Sequence, residues 1–311
     1  MEFVRGLYNL RARHRGCVAT IGNFDGVHRG HRAVLDAVCS AARHLRLPSV
    51  VVCFEPTPKE YFAPESAPPR IMGLRDKVLA LAEAGIERLV CLRFGAALAT
   101  LEPEEFIRRV VHEGLGARRL IVGDDFRFGR ERRGDYALLE AAGARYGFEV
   151  SPTPTFVLDG GRVSSSRLRE RLAAGDLDGA RVLLGRDYRI TGRVVYGDGR
   201  GRALGFPTAN VALGRRPRPL HGIFLVRVAA EDLPPCYGVA SLGTRPTVAA
   251  DGPQSLEVHV LDFEGELYGR HLQVDFLVRL RDERRFASLD ELRDWIARDV
   301  AEARRLLRRA G

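Results

Sequence analysis

The chain has 311 residues, 45% of them hydrophobic, which is long enough for two globular domains with separate cores. Its net charge is +9, from 49 basic and 40 acidic residues, and all but two of the basic residues are arginines. Because these arginines are interleaved with Asp and Glu, the charge favours anionic small substrates and argues against a nucleic-acid partner. No apolar run approaches the roughly 18 residues of a membrane span, so we expect no membrane partner.

Five cysteines, at positions 17, 39, 53, 91 and 236, are scattered along the chain without a Cys-x-x-Cys pair. Four of them lie in or beside apolar runs, the setting of buried thiols in a reducing compartment. The first sixteen residues are rich in arginine and lack the apolar segment of a secretory signal. We therefore expect a cytoplasmic protein, either a monomer or a homo-oligomer.

The first informative stretch is TIGNFDGVHRGH, residues 20–31, which follows an apolar run and precedes a helical pattern. Glycines such as Gly22 and Gly30 allow a tight turn, and the free N–H groups at a helix start bind anions. His28 and His31 are three residues apart, so both lie on one side of the first helical turn. Imidazoles beside a phosphate can donate hydrogen bonds to oxygens that gain charge during phosphoryl or nucleotidyl transfer.

Two other interpretations of this stretch remain open. It is either a plain strand–helix connection with a surface histidine pair, or a metal site, although a third ligand at a recognisable spacing is missing. Neither a Gly-x-Gly-x-x-Gly fingerprint nor a Gly-Lys-Ser/Thr phosphate loop is present. The HRGH element, residues 28–31, resembles the nucleotide-binding signature of the nucleotidyltransferase superfamily.

Strand-like and helical patterns alternate over the first half of the chain. This alternation predicts an α/β domain of Rossmann-like type, with a parallel sheet covered by helices on both faces. Ligands of such sheets bind at the carboxyl ends of the strands. The predicted strands are 17–22, 49–54, 88–93, 119–123 and 148–150, and the predicted helices are 29–46, 73–84, 103–114 and 135–145.

Two later loops of this half also suit a phosphorylated ligand. In GDDFRFG, residues 123–129, Phe126 and Phe128 alternate with an arginine, as expected for a site that binds a flat aromatic group carrying a phosphate. The alternative is a loop folded back on the core through its two phenylalanines. In RVSSSRLR, residues 162–169, serines at a helix start beside arginines predict an anion site or a simple helix cap.

The pattern changes near residue 186, where strand-like alternation becomes dominant. This change predicts an antiparallel sheet or a small β-barrel with its own core, and hence a fragment 184–311 that folds alone. We place the domains at 1–185 and 186–311. The predicted elements are a helix at 176–184, strands at 188–196, 222–229, 236–242, 256–263 and 272–280, and a C-terminal helix at 289–308.

The second domain has its own chemical stretch, which begins with glycines at 197, 199, 201 and 205 and continues through GFPTAN, residues 205–210. Glycine-rich backbone can wrap phosphates with its amides. On an extended backbone Thr208 and Asn210 face one way, and their oxygens suit Mg²⁺ bound to a nucleotide. Glu257 lies on a predicted strand and is either a general base for an alcohol or a solvent-facing residue.

Four strings occur in the order NFDGVHRGH, VGDDFRFG, GFPTAN and GTRPT. From about residue 15 to the C-terminus, the chain resembles the bacterial bifunctional riboflavin kinase/FAD synthetase family. The resemblance implies that 186–311 is a riboflavin kinase domain, which makes FMN from riboflavin and ATP. It also implies that 1–185 is an FMN adenylyltransferase domain, which makes FAD from FMN and a second ATP. Mg²⁺ would accompany ATP, and the flavins would be substrates and products, not redox cofactors.

The resemblance also implies roles for individual residues. His28 and His31 would hold ATP phosphates and stabilise the transition state, and Glu257 would deprotonate the ribityl 5′-hydroxyl. Thr57 stands where many members have histidine, so its role stays open. ATP binding is implied for Gly22, Phe24, Gly30, Arg162, Ser165, Ser166 and Arg169 and, in the second domain, for Gly197, Gly205, Thr208 and Asn210, with Thr208 and Asn210 also holding Mg²⁺; flavin binding is implied for Asp125, Phe126, Phe128, Arg281 and Phe286.

Two other functions remain to be weighed. One is a flavin-binding regulator that has kept the folds without turnover, and the other is an enzyme with a single active module. The histidine pair and Glu257 argue against the regulator, since a protein that only binds flavin has no use for a base.

Overall fold

A computed structural model describes residues 1–123, 125–197, 200–214, 216–231, 233–244 and 254–310. The chain divides into two compact units. We call residues 1–68 and 77–164 the sheet unit, and residues 69–76 and 165–311 the barrel unit. The contacts thus assign residues 69–76 and 165–185 to the barrel unit, so the compact units do not coincide with the predicted catalytic domains.

The sheet unit is built on six parallel strands in the order β1-β4-β3-β2-β5-β6. The predicted α/β class with a parallel sheet is confirmed. The central strands are apolar along their length because helices cover both faces, and every residue of Cys17–Ile21 is buried. The edge strand β1 escaped prediction because it has only four residues, two of them charged. The strands are β1 (Glu2–Arg5), β2 (Cys17–Ile21), β3 (Ser49–Glu55), β4 (Arg88–Arg93), β5 (Ala117–Gly123) and β6 (Glu149–Thr153).

Helices connect these strands close to the predicted positions. The helix predicted at 103–114 is α-helical in its first four residues and π-helical over Ile107–Gly114. A small hairpin, β7 (Val157–Leu158) and β8 (Gly161–Arg162), follows the sheet. The helices are α1 (Arg29–Leu45), α2 (Pro58–Phe62), α3 (Leu74–Glu83), α4 (Ala96–Ala99), α5 (Pro103–Phe106) and α6 (Tyr136–Tyr146), with 3-10 turns at Leu7–Asn9, Ala12–His14 and Arg130–Arg132.

The barrel unit contains a closed antiparallel barrel in the order β10-β13-β12-β11-β14-β9, as the alternating pattern predicted. The C-terminal half of the last helix packs on it through apolar residues including Val300 and Ala303. Strand β10 was missed because it has only three residues. The elements are α7 (Ser165–Ala173), α8 (Leu177–Leu184), β9 (Tyr188–Val195), α9 (Arg200–Ala203), β10 (Ala209–Val211), β11 (Gly222–Ala230), β12 (Leu233–Thr244), β13 (Gln254–Val260), β14 (His271–Arg281) and α10 (Leu289–Ala310).

Residues 69–76 are tied to strand β9 by side-chain hydrogen bonds. The Tyr188 hydroxyl donates to the Ile71 carbonyl at 2.8 Å, and the Thr191 N–H donates to Asp76 Oδ1 at 2.7 Å. The other oxygen of Asp76 accepts from Gly73 N at 3.0 Å. The pKa of Asp76 is raised because the carboxyl group is buried. Asp76 therefore satisfies a buried strand N–H that no sequence pattern had linked to it.

We expect Asp76→Ala to lower the free energy of unfolding of the barrel unit by about 1–3 kcal/mol, because the buried Thr191 N–H loses its acceptor. Urea unfolding monitored by the fluorescence of Trp295, the single tryptophan of the chain, measures this loss. Asp76→Asn keeps an acceptor oxygen and serves as the milder control. An unchanged midpoint in Asp76→Ala would show that this hydrogen bond does not stabilise the barrel.

Candidate active sites

The first candidate site lies where β2 ends and α1 begins. The chain reverses through Phe24, Gly26 and Val27, which have positive φ angles of 49°, 95° and 42°. Positive φ angles are unusual for non-glycine residues such as Phe24 and Val27. They persist at sites where the surrounding structure imposes them. His28 then caps α1, its Nδ1 accepting a hydrogen bond from the His31 N–H at 3.2 Å.

The two imidazole rings of this turn are stacked. The ring centroids of His28 and His31 are 3.7 Å apart and the rings are inclined by 11°. A Cβ on Gly30 would approach the His28 ring and the Val163 carbonyl to 3.3 Å, so only glycine fits without displacing the stack. The structure therefore brings the two histidines together, as their spacing predicted.

The environment of His31 keeps its ring uncharged. Burial, and then the nearby His28 and Lys77, hold the pKa of His31 well below its usual value. Its Nδ1 is buried and has no hydrogen-bond partner among the described residues. A bound polyphosphate would act in the opposite direction, since negative charge favours the imidazolium form. Within the described part of the chain, no group of three His, Cys, Asp or Glu side chains is placed to hold a metal ion.

Gly22 and Phe24 lie behind this histidine pair. The Phe24 ring is buried, with its centroid 5.0 Å from that of His31. A Cβ on Gly22 would approach the Phe24 ring to 3.0 Å. The Phe24 ring thus supports the position of His31, and the predicted contacts of Gly22 and Phe24 with ATP stay predictions.

The residues of the loop after β5 that are predicted to bind flavin differ in their exposure to solvent. Asp125 is exposed and pairs with Arg162 of β8 at 2.6 Å. Phe128 is only 6% exposed and packs in the sheet-unit core against Phe106, and Phe126 stacks on it at 5.5 Å. At Phe128 the loop therefore folds back on the core, which is the alternative that the sequence left open for this loop. Asp124 of the same string lies outside the described residues.

Ser165, Ser166 and Arg169 lie in the first turns of α7, which the contacts assign to the barrel unit. Ser166 is exposed, whereas Arg169 is partly buried and donates from Nε to the Pro69 carbonyl at 2.8 Å. The structure thus has the predicted helix start with serines beside an arginine. That these residues contact ATP stays a prediction.

Thr57, whose role the sequence left open, caps helix α2. Its Oγ1 accepts from the Glu60 N–H at 3.4 Å, and Glu60 Oε2 accepts from the Thr57 N–H at 2.9 Å. This reciprocal pair is a capping box, recognisable in the sequence as Thr-x-x-Glu.

We expect Thr57→Val to destabilise the protein by about 0.5–2 kcal/mol, because valine cannot accept the Glu60 N–H. For the FAD formation that the resemblance implies, the turnover number should stay within about tenfold, and the KM for ATP or FMN should rise modestly. Thermal unfolding and adenylyl-transfer kinetics measure the two effects, and Thr57→Ser restores the cap as a control. A collapse of turnover at unchanged KM would instead place Thr57 in the reaction.

The second candidate site lies on the outer surface of the barrel. In the antiparallel pairing, Asn210 on β10 lies directly opposite Glu257 on β13, and Glu257 lies opposite Ser241 on β12. Directly opposed residues have Cβ atoms about 4.5–5.5 Å apart on the same face of a sheet. The face is the outer one because the alternate residues are buried in the barrel: Ala209, Val211, Leu242, Leu256 and Val258.

The glycine-rich loop packs against the polar side chains of this face. A Cβ on Gly201 would approach Thr208 Oγ1 to 2.9 Å, and a Cβ on Gly197 would clash with the Asn210 amide. Gly205 has a φ of 86°, which favours glycine. Backbone amides of the loop thus lie close to the hydroxyl and amide groups that are predicted to bind Mg²⁺ and ATP. Hydroxyl and amide oxygens are hard donors of the kind that Mg²⁺ prefers. Gly199 lies outside the described residues.

An open cleft adjoins Thr208, and the sequence did not reveal it. Its walls combine aromatic and aliphatic side chains, and one of them, Tyr268, stacks on the exposed Tyr196 at 4.2 Å. The signal in the sequence was the pair of aromatic residues that follows β13, Phe263 and Tyr268. The lining includes Val194, Arg202, Thr208, Phe263, Leu267 and Tyr268.

Arg281 and Phe286, predicted to cover a flavin, lie between β14 and α10. Arg281 makes a two-point ion pair with Asp299 at 2.7 and 2.8 Å, largely shielded from solvent. Its guanidinium also lies 5.8 Å from the Phe286 ring and 5.3 Å from the Trp295 ring. Arg281 is thus held by protein partners, and its predicted contact with flavin stays a prediction.

Four cysteines and the helices bear on the predictions of buried thiols and of no membrane span. Cys17, Cys39, Cys53 and Cys91 are buried free thiols, as their apolar surroundings predicted. Across the residues that the structure describes, no helix combines the length and the apolar character needed to cross a membrane.

Comparison with known proteins matches a different family model to each half of the chain. A family model described as FAD synthetase matches residues 10–167, and one described as riboflavin kinase matches residues 184–307. Two similar relatives are each a "Bifunctional riboflavin kinase/FMN adenylyltransferase". The one from Pseudomonas fluorescens is 53% identical and covers 98% of both chains; the one from Escherichia coli (strain K12) is 49% identical and covers 98% of this chain and 97% of its own.

A solved structure also matches over nearly the whole length. It is a crystal structure from Streptococcus pneumoniae described as a macrolide-efflux protein, with a TM-score of 0.80 and 30% identity over 98% of this chain and 99% of that chain. The two family models, in this order, and the full-length relatives agree with the strings in the sequence. The chain therefore belongs to the bifunctional riboflavin kinase/FMN adenylyltransferase family.

Proposed function

We propose that the outer face of the barrel catalyses riboflavin phosphorylation, and that the histidine pair of the sheet unit catalyses adenylyl transfer to the FMN so formed. The register that places Asn210 opposite Glu257 supports this proposal most directly. It brings a carboxylate next to a residue suited to Mg·ATP, which is the pairing that transfer to an alcohol requires. The two reactions give FMN and ADP, and then FAD and pyrophosphate.

In the kinase reaction, Glu257 accepts the proton of the riboflavin 5′-hydroxyl as its oxygen attacks the γ-phosphorus of ATP. Thr208 and Asn210 would hold the Mg²⁺ of Mg·ATP through their side-chain oxygens, and the ion would supply charge neutralisation of the phosphates. The adenosine part of ATP lies in the cleft beside Thr208, where Phe263 and Tyr268 supply apolar surface. The loop amides near Gly197 and Gly205 bind phosphate oxygens.

In the adenylyl-transfer reaction, a phosphate oxygen of FMN attacks the α-phosphorus of ATP and pyrophosphate leaves. His28 and His31 lie at the N-terminus of α1, where free N–H groups and imidazole donors can stabilise the charge that develops on phosphate oxygens. Neither reaction needs a covalent enzyme intermediate, because positioning and charge stabilisation supply most of the rate enhancement.

The other predicted site residues keep their roles within this proposal. Gly22, Phe24 and Gly30 shape the first nucleotide site, and Arg281 and Phe286 cover the flavin of the kinase site. The remaining roles are ATP binding by Arg162, Ser165, Ser166 and Arg169 and FMN binding by Asp125 and Phe126, with the buried Phe128 packed against Phe126 from the core side.

We further propose that the protein acts in the cytoplasm, as a monomer or homo-oligomer, without a nucleic-acid partner. The buried free thiols support a reducing compartment. We do not propose macrolide efflux, the activity in the description of the Streptococcus pneumoniae structure, for this chain. Both family models and the full-length relatives point to flavin chemistry.

Incubation of the full chain with riboflavin, ATP and Mg²⁺, followed by chromatographic separation of the flavins, tests the proposal. FMN should appear first and FAD should follow, and a chelator should stop both. FMN without FAD would identify an enzyme with only the kinase active. Tight riboflavin binding without any product would identify a flavin-binding regulator.

A further inference from the structure

A second carboxylate, Glu283, lies on the face of the barrel that carries Glu257. Its carboxyl end is seated directly on the backbone of Gly243 in β12, where the Cβ of any other residue would overlap all three of its terminal atoms. Gly243 is buried in consequence. Its φ is not positive, so the backbone conformation there does not itself call for glycine. A larger residue would fit there only if the flexible end of the Glu283 side chain moved away.

The register places this seat close to the proposed base. Gly243 pairs with Ser255, and two residues along the same strands Ser241 pairs with Glu257. Gly243 and Glu257 are therefore diagonal neighbours on one face, about 7–8 Å apart. A group bound against Glu257 can thus reach the Glu283 carboxylate.

The chain segment that carries Glu283 is anchored on both sides. Arg281 is fixed by its two-point ion pair with Asp299. Arg284 lies over the Trp295 ring at 4.4 Å and pairs with Glu291 at 3.1 Å. With both neighbours tied to α10, the position of Glu283 over β12 is defined by the fold.

Glu283 itself makes no hydrogen bond or ion pair with the described residues. Partial burial of its carboxyl group raises the pKa of Glu283, while the nearby Arg281 acts in the opposite direction. A partly desolvated carboxylate is stabilised by hydrogen-bond donors, and the residues that the structure describes supply none here. A substrate that carries several hydroxyl groups would supply them.

Resting on the proposed kinase function, we infer that Glu283 is a further substrate-binding residue that accepts hydrogen bonds from the ribityl hydroxyl groups of riboflavin. The 5′-hydroxyl must lie at Glu257 in order to react. The other ribityl hydroxyls lie within one short chain of the 5′-hydroxyl, a length that can span the distance of about 7–8 Å between Glu257 and Gly243, whereas the flavin ring lies farther along the molecule. Glu283 thus recognises the sugar-alcohol chain and not the ring.

The test uses full-length Glu283→Gln, Gly243→Ala and the double variant. The alanine methyl group of Gly243→Ala displaces the carboxyl end of Glu283 without removing it. We expect each single variant to raise the KM for riboflavin about 5- to 10-fold, because glutamine accepts hydrogen bonds only as a neutral group and the displaced carboxylate of Gly243→Ala accepts them less well. The double variant should show no further loss, because both changes remove one interaction. Inhibition by lumiflavin, which has the ring without the ribityl chain, should change less than about twofold.

Controls separate this inference from the proposed function. Glu264→Gln, an exposed carboxylate of the same unit, should leave the KM for riboflavin unchanged, and every variant should adenylylate supplied FMN normally. Equal weakening of riboflavin and lumiflavin would overturn the ribityl contact, and so would an unchanged KM in Glu283→Gln. If those results occur while Glu257→Gln still abolishes phosphorylation, the inference fails and the proposed function stands.

Discussion

His31→Ala is expected to leave FMN formation intact and to reduce FAD formation about 10²- to 10³-fold. The variant removes the imidazole that we propose as a donor to the transferring phosphate, and loss of one such donor weakens transition-state stabilisation by about 2.7–4 kcal/mol. It also removes the ring stacked on His28, so the remaining imidazole loses its support. With riboflavin and ATP supplied, FMN should accumulate, and chromatography of the flavins measures the FMN to FAD ratio.

His44→Ala is the matched control, because His44 lies on the same helix and is exposed. It should leave the rates of both reactions unchanged. Loss of FMN formation in His31→Ala, with FAD formation from supplied FMN preserved, would reverse the assignment of the two reactions to the two sites.

Glu257→Gln is expected to reduce riboflavin phosphorylation about 10²- to 10⁴-fold, since glutamine keeps the shape of the side chain but cannot accept the hydroxyl proton. Adenylylation of supplied FMN should proceed at the normal rate. Initial rates of FMN formation at saturating riboflavin measure the effect on turnover, apart from any effect on binding.

Glu231→Gln, at an exposed turn of the same unit, controls for the loss of a negative charge. It should phosphorylate riboflavin normally. A Glu257→Gln enzyme with wild-type turnover would show that the proton leaves by another route, for example to a phosphate oxygen of ATP.

The sequence predicted the sheet and the barrel because both have strong local patterns. The continuous apolar runs of β2 and β3 are typical of parallel strands buried on both faces, and the alternation in β13 is typical of a barrel wall. The His28 and His31 pair was also predictable, since a spacing of three residues within one helical turn fixes their proximity.

The features that escaped prediction depend on contacts between distant residues. The burial of Phe128 depends on Phe106, and the two belong to separate elements. The position of the Glu283 carboxyl group depends on Gly243 of β12, which is distant in sequence. Strand β10 has three residues, too few for a periodic pattern, although it carries Asn210. Thr57 is a different case, because its Thr-x-x-Glu capping pattern is local and visible in the sequence.

The hydrogen bonds between residues 69–76 and β9 make the barrel unit discontinuous along the gene. Ile71 and Tyr188 are 117 residues apart, and Asp76 and Thr191 are 115 apart. During synthesis, residues 69–76 leave the ribosome long before the strand that they bind, so these contacts form only after the intervening residues have been made. A gene split or truncated at codon 184 separates the two halves of this contact, and the expressed fragment 184–311 will lack the acceptors of Tyr188 and Thr191. A kinase module transplanted into another protein should therefore carry residues 69–76 with it.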